Sequence, residues 1–338
     1  MTTPETGGQT APRLDSRAQD ARTWALAQLR LGDEAAFEPA SADASFRRYF
    51  RVRTPDASWI VMDAPPERED TRPFVEVAAL LAEAGLHAPR VLAQQPEAGY
   101  LLLTDLGRQT YLDVLDDANA DAMMKGAIDT LIRWQQSSRP GVLPQYDEAL
   151  LQRELDLFED WFVARHLQVA LSPEQRQTLQ TIQRLLVDAA LEQPRVFVHR
   201  DYMPRNLMVS EPSPGVIDFQ DAVEGPITYD LVSLLRDAFL SWPSQRVEAW
   251  MHHYWERARA EGLPVHDTFP AFRRAADLMG LQRHLKVIGI FARIRYRDGK
   301  PHYLEDVPRF VAYVHEAASR YPETQALSAL FDALGLRA

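Results

Sequence analysis

Asp201, Asn206 and Asp218 are the residues whose types and spacing best suit chemistry. The first two belong to the run His199-Arg200-Asp201-Tyr202-Met203-Pro204-Arg205-Asn206, and the third ends Val216-Ile217-Asp218 after a turn rich in Pro and Gly at residues 211–215. A carboxylate such as Asp201 can orient an alcohol and accept its proton late in a transfer reaction. The Asn206 amide oxygen and the Asp218 carboxylate are hard donors of the kind magnesium takes, sharing its coordination with phosphate oxygens. Together they suit phosphoryl transfer to a hydroxyl. His199 reads as an organiser of the loop, and Asp230, ahead of Leu231, Leu234, Leu235 and Ala238, as a cap or brace.

A lone His-Arg-Asp can be a surface ion pair, and a lone Asp-Phe is common. In order, in register and between strand patterns, they match the kinase catalytic loop and the magnesium-binding Asp-Phe motif. No activation segment ending in Ala-Pro-Glu follows Asp218, which argues against a protein kinase.

These motifs must be positioned by the surrounding elements. Residues 14–31 have helical composition with Gly32 as a stop, and Tyr49-Phe50-Arg51-Val52-Arg53 with Trp59-Ile60-Val61-Met62 reads as a hairpin turning at residues 54–58. Phe74, Val77, Ala78 and Leu81 fall at i, i+3, i+4 and i+7, so residues 74–84 form an amphipathic helix ended by Gly85. Two further strands are expected at residues 91–93 and 100–103. Beyond Gly107 the pattern is helical, with segments starting near Tyr111, Asp147, Pro173, Thr228, Gln245 and Thr268. Ser172-Pro173-Glu174-Gln175 carries a capping box with Pro in the first turn. The expected organisation is a disordered tail (1–13), a small nucleotide-binding lobe with a β-sheet (14–106) and a larger helical lobe carrying catalysis and acceptor binding (107–338).

Length and composition agree with two lobes. The chain has 338 residues, 46% apolar and 25% charged, enough for real cores. A net charge of -11 argues against a nucleic-acid-binding surface. The absence of Cys excludes disulfides and thiolate sites, and no apolar run suits a secretory signal or a bilayer, so a cytoplasmic location is expected.

The run from Val198 to Met208, the strand ending Ile217-Asp218-Phe219 and the later Asp230 resemble the aminoglycoside phosphotransferase and choline kinase family. The resemblance implies an α+β, bilobal protein-kinase-like fold, ATP and magnesium as cofactors, Asp201 as catalytic residue and Asn206 and Asp218 as metal ligands. Ala44-Ser45-Phe46-Arg47-Arg48-Tyr49-Phe50-Arg51, Val61-Met62-Asp63-Ala64-Pro65-Pro66-Glu67 and Asp218-Phe219-Gln220-Asp221-Ala222 are similar, more narrowly, to a family of kinases acting on the anomeric hydroxyl of N-acetylmuramate and N-acetylglucosamine in peptidoglycan recycling. That resemblance implies a small amino sugar as substrate, with no nucleic acid, membrane or obligate protein partner. Another small-molecule acceptor, or a nucleotide-binding regulatory module without turnover, stays open.

The family pattern is broken at one point. The strand that should carry a phosphate-binding Lys ends Val61-Met62-Asp63, and the lysines, Lys125, Lys286 and Lys300, all lie outside the small lobe. Arg48 and Arg51, beside a candidate phosphate loop at 41–46 that lacks glycine, are the expected replacements. Glu76, the acidic residue on the helix, lies off its apolar stripe. Adenine is expected against the backbone near Asp105 and Gly107. Arg205, Asp221 and Glu224 are candidate acceptor contacts, Arg205 for a lactyl carboxylate; each also has an ordinary structural reading, as do Trp134, Trp161 and Arg293.

Overall fold

The computed structural model describes residues 14–42 and 46–337. The tail at 1–13 and the middle of the candidate phosphate loop, 43–45, lie outside the described residues. The chain forms two compact units: residues up to Glu76 with Pro89–Asp105, and Val77–Ala88 with Leu106 onward.

The first unit begins with α1 (Ser16–Leu29). Asp15 caps it by accepting the Ala18 N–H at 2.8 Å, and Arg30, rather than Gly32, takes the left-handed residue at its end (φ 55°). Five strands follow: β1 (Ala36–Ala42), β2 (Arg48–Arg53), β3 (Ser58–Asp63), β4 (Val91–Gln95) and β5 (Tyr100–Thr104). They form one antiparallel sheet in the order β1-β2-β3-β5-β4. Four of the strands match the sequence expectation. β1 does not: its Ala-Phe-Glu-Pro-Ala-Ser-Ala sequence has Phe37 as its one strand former, and Pro39 beside a register shift is tolerable only because β1 is an edge. Phe50, Val52, Val61, Tyr100 and Leu102 face one side of the sheet, where Ala18, Ala21, Ala25 and Leu26 of α1 cover them.

Helix α2 (Arg72–Glu83) buries the expected stripe of Phe74, Val77, Ala78 and Leu81 and leaves Glu76 exposed. Its second half, Val77 onward, groups with the helical unit, unlike the single break expected near residue 106.

The second unit contains α3 (Tyr111–Val114), α4 (Ala120–Gln136), α5 (Glu148–Leu157) running directly into a π-helix (Phe158–Leu167), and α6 (Pro173–Leu191). Then come β6 (Arg195–Val198), a 3₁₀ turn (Pro204–Asn206), β7 (Leu207–Met208), β8 (Gly215–Val216) and β9 (Val223–Pro226). Helices α7 (Tyr229–Leu235), α8 (Ser244–Ala260), α9 (Phe269–Asp298), α10 (Val307–Ala318) and α11 (Gln325–Ala333) complete it. From Phe272 to Ala292, α9 is buried on nearly every side, as a helix apolar all round must be. It forms the axis of the core together with Leu155, Phe158, Leu186, Phe310 and Phe331.

The capping box of α6 is present as expected: the Gln175 N–H donates to Ser172 Oγ at 3.2 Å, and the Ser172 N–H to Gln175 Oε1 at 2.9 Å. Replacing Ser172 by Ala is expected to lower the unfolding free energy by about 1 kcal/mol, read from the denaturant midpoint, and to leave any catalytic activity unchanged.

Candidate active site

β6 is a short buried strand, Val196, Phe197 and Val198, paired with β9 through Phe197↔Glu224 and Val198↔Val223. It delivers the chain to His199 at the edge of the core. Asp230, fully buried at the start of α7, accepts the N–H of His199 at 2.6 Å and of Arg200 at 3.0 Å. Two adjacent amides that would otherwise be buried without partners are thereby satisfied, which is the bracing role expected for Asp230. Burial pushes the Asp230 carboxyl up to about 7, against the two amides that hold it down.

His199 is 1% exposed. Its Nε2 meets the Ile217 carbonyl at 3.1 Å and must donate, since that oxygen only accepts; Nδ1 is then the acceptor for the Asp201 N–H at 3.3 Å. The ring is neutral, with burial lowering its pKa to about 4. It links the Asp201 loop to the segment after β8 that carries Asp218.

The loop closes on itself. The Met203 N–H donates to the Asp201 carbonyl at 3.0 Å, the Asn206 N–H to the Met203 carbonyl at 2.8 Å, and the Ile217 N–H to the Asn206 carbonyl at 3.1 Å. The β7–β8 hairpin pairs Leu207 with Val216 and Met208 with Gly215. Asn206, itself buried, donates through Nδ2 to the Asp201 carbonyl at 2.9 Å and to Asp218 Oδ2 at 3.3 Å. The structure thus brings Asp201, Asn206 and Asp218 together. With Nδ2 committed to two oxygens, Oδ1 is the Asn206 atom left for a cation.

Two residues here are left-handed without being glycine: Arg200 (φ 75°) and Asp218 (φ 64°). Such residues cost about 1–3 kcal/mol each and persist where surrounding bonds dictate them. For Asp218 these bonds include Gln220, whose Nε2 donates to Oδ1 at 2.9 Å.

The remaining candidates separate. Arg205 is half-buried, and its guanidinium lies 5.1 Å from the centre of the Phe239 ring. Asp221 is exposed, and Gln220 reaches its carboxylate at 3.5 Å. Glu224 instead turns to the segment before α5, accepting from the Gly141 N–H at 3.0 Å and Gln145 Nε2 at 2.6 Å, and is not brought to the Asp201 group. Trp134 is core, packed on Phe197 at 5.0 Å. Gly107, with φ +105°, occupies a conformation that side chains rarely adopt.

In the sheet unit, Arg48 and Arg51 do not act together. They are an odd number of residues apart on one strand and so point to opposite faces of the sheet. Arg48 shares the Phe50 face, stacks over that ring at 5.6 Å, and is paired with Asp15 and with fully buried Asp63, the latter at 2.6 Å. Asp63 also receives Arg17 at 2.7 Å. The two arginines expected to replace the missing Lys therefore lie on opposite faces of the sheet. Arg51, buried on the other face, forms a two-pronged pair with Asp105, Nε to Oδ2 at 2.5 Å and the second nitrogen to Oδ1 at 3.0 Å. Sequence reasoning missed this pair because its residues are far apart along the chain. It also missed Glu154 and Lys286, because polar neighbours such as Arg153 and Asp156 on one helix and Arg283 and His284 on the other leave no local signal that marks either residue.

Residues 36–269 match the model of the family described as "Phosphotransferase enzyme family". The N-acetylmuramate/N-acetylglucosamine kinase of Pseudomonas aeruginosa is 61% identical over 296 residues, 88% of this chain and 88% of that protein. The protein of that name in Pseudomonas putida is 53% identical over 328 residues, 94% of this chain and 97% of its own. An ADP-bound aminoglycoside phosphotransferase superposes with a TM-score of 0.60 at 15% identity, covering 89% of this chain and 98% of the other, which shows a shared fold.

The depressed pKa of His199 gives an acid-sensitive term. A group whose folded pKa lies below its ordinary 6.5 contributes stability that is fully present above pH 6.5 and is lost as pH falls toward 4. Wild-type protein should therefore lose about 3 kcal/mol more than His199→Gln across that window, measured as unfolding free energy against pH. Asp230 titrates in the opposite sense but in both proteins, so it drops out of the difference. Parallel slopes would exclude a buried neutral imidazole.

Proposed function

The chain belongs to the phosphotransferase enzyme family, and from that premise we propose that it transfers the γ-phosphate of ATP to the anomeric C1 hydroxyl of N-acetylmuramate and N-acetylglucosamine. The products are the sugar 1-phosphates, and the setting is peptidoglycan recycling. The observation that supports the transfer chemistry is the Asn206 amide, which ties the Asp201 backbone to the Asp218 carboxylate. For the acceptor, the support is the 61% identity to a kinase of that name across 88% of both chains.

In this reading Asp201 orients the sugar hydroxyl and accepts its proton as the new phosphorus–oxygen bond forms. Among the described residues no group of three or more His, Cys, Asp or Glu forms a cation cage. The Asn206 and Asp218 donor pair nevertheless fits magnesium, which keeps few protein ligands and takes the rest from phosphates and water. When bound, the ion would neutralise charge on those phosphates. Arg51, oriented by Asp105, is assigned the role of the missing small-lobe Lys, since a guanidinium matches the geometry of phosphate oxygens. The backbone at Gly107 is assigned to the nucleotide.

Arg205 is assigned to the acceptor. Its guanidinium stacks over the Phe239 ring, which orients the cation without neutralising it. The lactyl carboxylate of N-acetylmuramate is the group such a cation would receive, and N-acetylglucosamine lacks it. Asp221 is a second candidate for sugar hydroxyls, whereas Glu224 is left out. We assign the reaction to the cytoplasm, where ATP is available to it.

Phosphorus NMR of a reaction with ATP, magnesium and each sugar should show an anomeric phosphate. Transfer only to a primary hydroxyl or an amino alcohol would rule out this acceptor, and nucleotide binding without any transfer would rule out an enzyme. Asp201→Asn and Asp218→Asn should each lower kcat by about 100- to 10,000-fold with the fold intact. Arg205→Gln should raise KM for N-acetylmuramate and leave that for N-acetylglucosamine nearly unchanged; equal effects on both sugars would remove the carboxylate assignment.

A further inference from the structure

Behind Asp201 lies a buried charged cluster with no part in the chemistry described above. Glu154 on α5 is 5% exposed, and donors from three other parts of the chain converge on its carboxylate. Arg200, next to Asp201, reaches Oε1 at 2.6 Å. Lys286 on α9 reaches the same oxygen at 2.8 Å, and Gln282, one turn earlier, reaches Oε2 at 3.3 Å. The Tyr146 hydroxyl also donates to Oε2. Lys286 donates in addition to the Tyr229 hydroxyl at 2.8 Å, and the Arg200 guanidinium lies 5.7 Å from the Tyr146 ring centre.

Glu154 is ionised, because Lys286 and Arg200 override the effect of burial and hold its pKa at about 2. Burial alone would discharge Lys286, yet Tyr229 and Glu154 keep it raised. The Asp201 charge acts on both Arg200 and Lys286 in the same direction, which puts the cluster within electrostatic reach of the candidate base.

The helices are set for this contact. A Cβ at Gly289 on α9 would overlap the Leu157 carbonyl, where α5 passes into the π-helix, so only glycine permits that approach. Gly289 is three residues after Lys286, and Leu157 three after Glu154, so the close crossing lies one turn from the ion pair.

Arg200 therefore has its backbone N–H held by Asp230 and its side chain held by Glu154, while its own backbone is left-handed. We propose that Arg200 is a positioning residue: the Glu154–Lys286 cluster clamps its side chain and so fixes where the next residue, Asp201, presents its carboxylate. This rests on the functional reading above, in which Asp201 orients the acceptor hydroxyl.

Replacement by glycine separates conformation from clamping, since glycine adopts φ 75° freely. Arg200→Gly in the full-length chain should fold with a lowered melting temperature, since buried Glu154 keeps Lys286 but loses its second cation. It should lose about 10- to 100-fold in kcat with KM for ATP and sugar unchanged. A glycine variant with wild-type kcat would overturn the proposal, because the backbone conformation alone would then suffice. Glu154→Gln/Lys286→Met, which removes one charge of each sign, should show the same loss in kcat alone; wild-type kcat there would also overturn it. If the wild-type protein phosphorylates neither sugar, the functional reading fails instead. A crystal structure of Arg200→Gly then decides the clamp by whether the Asp201 carbonyl keeps its bonds to Met203 and Asn206.

Discussion

The arrangement of the candidate site depends on one side-chain amide. Asn206 uses its backbone N–H on Met203, its carbonyl on Ile217 and its side-chain nitrogen on Asp201 and Asp218. An amide whose nitrogen faces two oxygens cannot be turned over, because its carbonyl oxygen would then meet acceptors with no proton between them. The residue is therefore a rigid spacer between the loop that carries one carboxylate and the segment after β8 that carries the other. In a buried setting such a bond resists replacement by water, and losing it would leave unpaired polar groups on both sides.

The surrounding polar groups brace this spacer from behind. Asp230 satisfies two consecutive amides at the entrance to the loop, and His199 bridges Asp201 to Ile217 with a neutral ring whose two nitrogens have different duties. Within this group the left-handed residues are Arg200 and Asp218, flanked by these contacts. Strain held by buried partners at a few neighbouring residues is a pattern expected of a working site.

The sheet unit holds its own ion pairs. Pairing each arginine with a buried or half-buried carboxylate spreads the charges over two faces of one strand, Arg48 toward α1 and Arg51 toward Asp105. The first pair braces the unit. The second places a guanidinium, already oriented by a two-pronged contact, on the opposite face.

Sequence alone determined the elements and the chemical types. The stripe of α2, the capping box of α6 and four of the five sheet strands follow from local periodicity and local hydrogen bonding, which act over a few residues and leave a pattern in the chain. The Asp201, Asn206 and Asp218 group was legible for the same reason, since its members flank one short hairpin within eighteen residues of chain. The edge strand β1, with its proline and small residues, carried no such pattern. Strand parity was present in the sequence too, and it separates Arg48 from Arg51 once both are placed on one strand. Only the tertiary structure decided the rest. Arg51 meets Asp105, Arg200 meets Glu154 and Lys286, and Glu224 turns to Gly141 because distant segments pack together. Contacts between residues tens of positions apart are set by how whole elements bury their apolar faces, and no local spacing encodes them.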